Sequence, residues 1–407
     1  MPKRVVITGS SLVSALGHDW PSVKARLLSQ ANCVRYMPEW EHYADLTPRI
    51  ASPVDDFVLP AFFKAKARRS MGRVAEMAVT ATYHALEQAG LRDDALLTSG
   101  QMGVAYGSAT GSSDAAMEFF SLLRDNTTAK MNATTYLRMM SHTAAVNISV
   151  LFKTCGRMIT TSTACTGGSQ AIGYAFEAIA EGKQIAMIAG GAEALCPTQV
   201  GVFDTVYAAS TASEARSTPR PFDAARDGLV LGEGAGTLIL EERDHALARG
   251  AKILGEVVGF ATNTDGKHLV KPNQQTMQQV MRDALDSANL AADDIGYISA
   301  HGTATVQGDI AESCATAEVF TKPCPISSLK SYIGHSLGAC GAIEAFVALN
   351  MMQEKWLHPC LNLTSLGEKV AELDYISGEP RAFDREFVMS NNFAFGGVNT
   401  SLIFKTA

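Results

Sequence analysis

Cys165 is the residue in this sequence best placed to do chemistry. It stands in Thr160-Thr-Ser-Thr-Ala-Cys165-Thr-Gly-Gly-Ser-Gln-Ala-Ile-Gly-Tyr-Ala-Phe176, which reads as the end of a strand, a tight turn and the start of a helix. Thr161 and Thr163 are β-branched and favour the strand. Ala171, Ala175 and Ala178, with Ile172 and Phe176, give the helix an apolar face. A sulfur where a helix begins meets unpaired N–H groups and the positive end of the helix dipole, which stabilise a thiolate and supply oxyanion donors. That setting suits acyl transfer; the plainer alternative is a buried structural cysteine. His301 follows a strand in His301-Gly-Thr-Ala-Thr305, and His335 precedes a helix in Gly334-His335-Ser-Leu-Gly-Ala-Cys-Gly341. A lone histidine is more often structural, but one cysteine and two histidines, each beside a Gly-rich turn, form a set that can move protons at a thioester.

Two other motifs compete for attention. Gly334-His-Ser336-Leu-Gly338 matches the G-x-S-x-G nucleophile elbow of hydrolases. That mechanism needs an acid and then a histidine on later elements, and His358, the one histidine that follows, comes too soon. Gly232-Glu-Gly-Ala-Gly236 resembles a nucleotide loop, yet it leads into a strand, whereas a phosphate loop must open a helix.

The elements that must hold these residues follow from periodicity. Strands are expected over 4–16, 101–107, 185–191, 236–241, 255–259, 295–299, 324–329 and within 386–404. Helices are expected over 22–28 with Ser22 as N-cap, 64–90, 114–124, 135–152, from Cys165 to near Gly182, and over 244–250, 277–288 and 336–353. Residues 30–62 carry four prolines and no clear period, and read as irregular surface. The loop Gly107-Ser-Ala-Thr-Gly-Ser-Ser113 can line a tunnel, form a subunit contact or be only a loop. Residues 158–182 echo 324–353, and 232–241 echo 396–405. The spacing predicts an internal duplication, two α/β halves spanning 1–250 and 251–407. If a pseudo-twofold relates them, the starts of the echoing helices meet and Cys165 faces His335.

Composition bounds the rest. The 407 residues are 47% hydrophobic and 18% charged, enough for a large core. A net charge of −7 argues against general nucleic-acid binding. Eight scattered cysteines make no CxxC pair and no zinc-type cluster, and no apolar run is long enough for a membrane span. With no signal sequence at its start, the chain reads as a soluble protein of a reducing compartment, the cytoplasm. Lys64, Lys66, Arg68, Arg69 and Arg73 form a basic cluster that suits either an acidic partner or a solvated face.

Taken together, Thr163-Ala-Cys165, Pro219-Arg-Pro-Phe-Asp with Arg226-Asp-Gly228, Gly232-Glu-Gly-Ala-Gly236, His301-Gly-Thr-Ala-Thr305, Lys330-Ser-Tyr-Ile-Gly-His335 and Asn392-Phe-Ala-Phe-Gly-Gly-Val-Asn399 resemble the motif set of elongating β-ketoacyl-ACP synthases, nearly end to end and in order. The resemblance implies a thiolase fold, with duplicated α/β halves in a five-layered αβαβα architecture. It also implies a decarboxylating condensation of an acyl-enzyme thioester with malonyl-ACP. By it, Cys165 is the nucleophile, His301 and His335 promote decarboxylation, and Lys330 with Glu344 holds the histidine network. Thr303 and Thr305 contact pantetheine, Phe395 gates the sulfur, and the N–H groups of Cys165 and Phe395 form the oxyanion hole. Phe203, Ser108 and Thr110 are expected to line the acyl pocket.

The same resemblance makes Lys64, Lys66, Arg68 and Arg69 the docking site for acyl carrier protein, and implies a homodimer or a heterodimer with a related subunit. It implies no catalytic metal and no cofactor beyond the carrier's 4'-phosphopantetheine, with a structural monovalent cation near Glu344, Ser390 and Asn391. Three features depart from the family: Thr166-Gly167-Gly168 after the cysteine, Phe393-Ala394-Phe395 in the gating loop, and the 33–60 stretch. They bear on the substrate more than on the reaction and fit a dedicated polyketide or polyene pathway. Two other readings, a non-catalytic chain-length-factor-like subunit and a coenzyme A-dependent thiolase, conflict with the presence of Cys165 and of two histidines after it.

Overall fold

The computed structural model describes residues 2–407. Ten strands form one sheet: β1 Val5–Ser14, β2 Met102–Gly107, β3 Met158–Thr161, β4 Ala186–Glu193, β5 Gly234–Glu242, β6 Gly255–Thr264, β7 Ile295–Ser299, β8 Ile326–Ser327, β9 Phe387–Phe393 and β10 Val398–Thr406. Six helices matter here: α1 Arg73–Ala89, α2 Thr143–Phe152, α3 Gly167–Ala180, α4 Gln274–Ala288, α5 Val306–Val319 and α6 Cys340–Glu354.

The sheet order is β3-β2-β4-β5-β1-β6-β10-β9-β7-β8, so the second half repeats the first with every strand number raised by five. Directions repeat as well. β1/β5 and β4/β5 are antiparallel while β2/β4 and β2/β3 are parallel, matched by β6/β10, β9/β10, β7/β9 and β7/β8. The halves join where Val5–Ile7 pairs antiparallel with Gly255–Val257. The duplication read from the echoing segments is present.

The layers follow from which helix faces are apolar. α4 buries Met277, Val280, Met281, Ala284 and Leu285, one stripe at helical spacing, and is capped by Asn273, whose side chain accepts from the Gln275 N–H. It is an outer helix on β6 and β10, as α1 is on β1 and β5. α3 and α6 are buried over most of their length and pack on each other and on both halves of the sheet. A helix apolar on all sides belongs inside. The result is αβαβα, with the two helices that follow the chemistry-bearing turns forming the middle layer.

Several expectations are corrected. The 64–90 helix is two pieces, Ala65–Arg68 and α1, because Gly72 caps α1 and packs so closely that a Cβ there would lie 2.5 Å from Ser112 Oγ. Residues 135–152 are likewise interrupted, between Thr135–Met139 and α2. The 20–28 helix starts at Trp20, and Asp19 rather than Ser22 is its cap, accepting from the Ser22 N–H at 2.9 Å. The 324–329 strand shrinks to two residues. Residues 30–62 hold a 3-10 turn at Pro38–Trp40 and a two-residue antiparallel ladder between Arg35–Tyr36 and Ile50–Ala51, and they are not simply surface: Met37, Trp40, Leu46 and Ala51 are buried in one apolar cluster with Cys165, Phe203, Leu229 and Leu337. All eight cysteines are free, and no helix among the described residues is long and apolar enough to cross a membrane.

Candidate active site

α3 is entered through a 3-10 turn, Ala164–Thr166, with Ala164 held at φ +51°. α6 is entered through a matching turn, Leu337–Ala339, with Leu337 at φ +45°. Non-glycine residues take that conformation only where the surroundings enforce it. The turns meet at the centre of the molecule: a Cβ built on Gly168 would lie 3.0 Å from the Gly338 carbonyl oxygen. The hydrolase reading fails here. Ser336 stands before the second turn, and its hydroxyl is fully buried without a partner.

Cys165 Sγ and a ring nitrogen from each of His301 and His335 lie within 4.8 Å of one another, all three residues buried. The rings stand edge to face with centroids 5.1 Å apart. The Leu337 N–H donates to His335 Nδ1 at 3.3 Å, so the proton belongs on Nε2, and that atom is buried with no partner. The Asn392 amide faces His301 Nδ1 at 3.5 Å and gives it the same tautomer. Burial, then the Lys330 ammonium and His335, hold His301 well below the usual imidazole range. Burial and Lys330 do the same for His335. Both rings are therefore neutral donors at neutral pH.

Burial pushes the Cys165 thiol up to about 11, against the pull of the Phe395 N–H, the Lys330 charge and its own backbone N–H. That direction runs against the thiolate expected from helix position, because burial penalises the charged form. Both N–H groups thus act on the sulfur itself.

Lys330 Nζ is 2.5 Å from Glu344 Oε1, both fully buried. Burial works to strip the lysine's proton, and Glu344, Cys340 and Glu312 together outweigh it and keep the ammonium form. The second Glu344 oxygen accepts from Asn392 Nδ2 at 2.7 Å, which ties the ion pair to His301. Cys340 donates to the Cys165 carbonyl at 3.2 Å. Two carboxylates of α5 fix the His301–Thr305 loop. Glu312 accepts from the N–H groups of His301 and Gly302, each at 2.7 Å, and Asp309 accepts from Ala304 at 3.1 Å.

A cavity of about 520 Å³ leads to these groups. Thr303 and Thr305 line it, with their hydroxyls 2.9 Å apart. Phe203 and Phe395 line it too, edge to face at 5.8 Å beside the sulfur. Ser108 does not line it, and neither does Thr110: both hydroxyls turn to Glu193, at 3.3 and 3.2 Å. Ser390 Oγ and both amide atoms of Asn391 are buried without partners. Lys64, Lys66, Arg68 and Arg69 are exposed on and around the Ala65–Arg68 helix. Arg73 leaves that group, because its guanidinium is bound to buried Glu233 and the Val54 carbonyl. Asn392, Glu312, Asp309 and Glu193 were missed as site residues. Asn392 opens the Asn392–Asn399 motif, whereas nothing in sequence marks the other three.

Residues 2–246 match the family described as "Beta-ketoacyl synthase, N-terminal domain", and residues 254–364 match its C-terminal domain. This chain belongs to the β-ketoacyl synthases. A curated relative, 3-oxoacyl-[acyl-carrier-protein] synthase 2 of Vibrio harveyi, is 36% identical over 99% of this chain and 98% of its own length. A solved β-ketoacyl synthase from Burkholderia phymatum STM815 superposes with a TM-score of 0.98 at 53% identity, covering 100% of both chains. A type II polyketide ketosynthase, solved in complex with its acyl carrier protein and bound to the hexaketide, superposes at 0.88 with 28% identity, again over 100% of both chains. In β-ketoacyl synthase terms, the Cys165, His301 and His335 cluster lies at the seam between the two family domains.

Proposed function

We propose that this chain catalyses the decarboxylating condensation of an acyl thioester, carried on Cys165, with malonyl-ACP to give 3-oxoacyl-ACP. The observation that carries the reading is the pair of neutral imidazoles presenting Nε2–H beside the sulfur, one of them buried with nothing to donate to. The Cys165 sulfur attacks the carbonyl of an acyl-ACP, the N–H groups of Cys165 and Phe395 hold the oxyanion, and the pantetheine thiol leaves with the cysteine's proton. Malonyl-ACP then enters past Thr303 and Thr305. His301 and His335 donate to its thioester oxygen, so the electrons left by departing carbon dioxide collect there as an enolate. The enolate carbon attacks the acyl group on Cys165, the C–S bond breaks, and 3-oxoacyl-ACP is released.

Incubation with malonyl-ACP and a panel of acyl-ACPs of varied length and unsaturation tests this by mass spectrometry. We expect 3-oxoacyl-ACP two carbons longer than the primer, with loss of carbon dioxide. Turnover of acetyl-CoA alone, with none of malonyl-ACP, would instead support the thiolase reading.

Lys64, Lys66, Arg68 and Arg69 form the docking site for acidic carrier protein. Arg68 has a carboxylate only at 4.0 Å, from Glu76, which leaves the cluster's charge available to a partner. The double variant Lys66→Glu/Arg69→Glu is expected to raise KM for acyl-ACP about tenfold, roughly 1.4 kcal/mol, while turnover of a short pantetheine thioester stays unchanged.

Met117, Phe120, Leu123, Tyr136 and Val150 are exposed apolar groups, and β3, with Met158 exposed, is an unpaired sheet edge. These features support a contact with a second copy or a related subunit, which the particle mass in solution distinguishes from a monomer. The unpaired Ser390 and Asn391 atoms suit a structural monovalent cation that braces β9. Glu344 lies with them in the expected set, and each of its oxygens, holding one donor, keeps a lone pair for the ion. Residues 1–250 and 251–407 are the two halves, the first supplying the nucleophile and the second the histidines.

A further inference from the structure

Glu193 ends β4 and is completely buried, and none of the ion pairs among the described residues includes it. Its carboxylate is held by hydrogen bonds from two directions. From the loop after β2 it accepts from the Ala109 N–H at 2.7 Å, the Thr110 N–H at 3.4 Å, Ser108 Oγ at 3.3 Å and Thr110 Oγ1 at 3.2 Å. From the other half of the molecule it accepts from the Gly338 N–H at 3.2 Å. Gly338 and Leu337 are consecutive residues of the turn that opens α6, and the Leu337 N–H is the donor to His335 Nδ1. The contact is close: a Cβ on Gly338 would lie 2.9 Å from Glu193 Oε2 and 3.1 Å from the Ala109 nitrogen.

From this arrangement we infer that Glu193 is a positioning residue for His335: its carboxylate clamps the Leu337–Ala339 turn, and the turn fixes which imidazole nitrogen carries the proton. Adjacent peptide units in one 3-10 turn cannot rotate independently. Anchoring the Gly338 N–H therefore orients the Leu337 N–H, and with it the ring. Burying a carboxylate without a cation is costly and is tolerated only where donors saturate it. An apolar residue would fill the space at lower cost but would leave the Gly338 N–H unsatisfied and the turn free. Ser108 and Thr110 acquire a role here as well. They hold the clamp from behind, so the small-residue loop they belong to supports a histidine far away in sequence.

The inference rests on His335 donating through Nε2 to the malonyl thioester, so its test reads the ring as well as the reaction. Gly338 and Ala109 share Glu193 Oε2, so a glutamine with its oxygen there keeps both bonds; Glu193→Leu instead keeps the volume and removes the acceptor, and both N–H groups lose it. In protein labelled with 15N-histidine, the intact chain is expected to show His335 as a single Nε2–H tautomer and Glu193→Leu to show a mixture. Malonyl-ACP decarboxylation is expected to fall about 10- to 100-fold in kcat with KM unchanged, as for a misplaced catalytic group. Acylation of Cys165 is expected to stay within about twofold.

A variant that keeps both the tautomer signature and the decarboxylation rate overturns the inference, as does one that loses acylation and decarboxylation equally. The NMR reading decides the clamp even if malonyl-ACP is not the substrate. Should Glu193→Leu fail to fold, Glu193→Asp keeps the charge and shortens the reach. A single tautomer at full rate in that variant overturns the inference in the same way.

Discussion

Replacing Cys165 by alanine is expected to abolish acylation by acyl-ACP and to cut condensation by about 10³-fold or more, while malonyl-ACP decarboxylation continues. The split follows from geometry. The sulfur forms the covalent bond, but the enolate forms against His301 and His335, whose tautomers are set by Asn392 and the Leu337 N–H rather than by the cysteine. Alanine removes one heavy atom from a well-packed site, so the fold should survive. A mass-shift assay for the acyl-enzyme and an assay for carbon dioxide release check the two halves separately. Loss of both activities would mean that the sulfur also takes part in decarboxylation.

Lys330→Met is expected to have the largest effect on stability. It strands the Glu344 carboxylate, fully buried, with Asn392 as its one side-chain donor. Removing one partner of a buried ion pair costs about 3–5 kcal/mol, against a total stability on the order of 5–15 kcal/mol for such folds. Glu344 can limit the loss by taking up a proton, and the double variant Lys330→Met/Glu344→Gln should recover much of it. Chemical denaturation of the three proteins measures both. There is a catalytic signature too. Lys330 is one of the groups that hold His301 and His335 below the usual range. Without its positive charge both imidazoles gain protons more readily, so their titrations, followed by NMR, should move to higher pH. Titrations that stay in place would show that burial alone sets these values.

The duplication was legible because it rests on what a sequence displays: strand, small-residue turn and alanine-rich helix, repeated in order. Cys165, His301, His335 and Lys330 were legible for the same reason, each lying in a motif at the end of a strand or the start of a helix. What sequence hid falls into two kinds. Helices such as Pro197–Thr205 and α5 carry β-branched, small and polar residues, and tertiary packing rather than propensity makes them helical. Supporting carboxylates were hidden because their partners are backbone N–H groups, which every residue has. Glu312 is recognisable only once folding has set its oxygens against His301 and Gly302. The 30–62 stretch misled for a further reason. Its prolines leave only short pieces of regular structure, yet Met37 and Trp40 still bury against the nucleophile's surroundings, and periodicity does not report burial without repetition.

The two matching turns set a limit on capacity. Superposing the halves puts Gly338 at the place that Cys165 holds in the first, and the volume a side chain would occupy there is taken by Glu193 and the backbone at Ala109. Of the two matching turns, only the first has room for a reactive group. Each polypeptide therefore carries a single growing chain at a time, and the second turn serves as the anchor point for the groups that work on it.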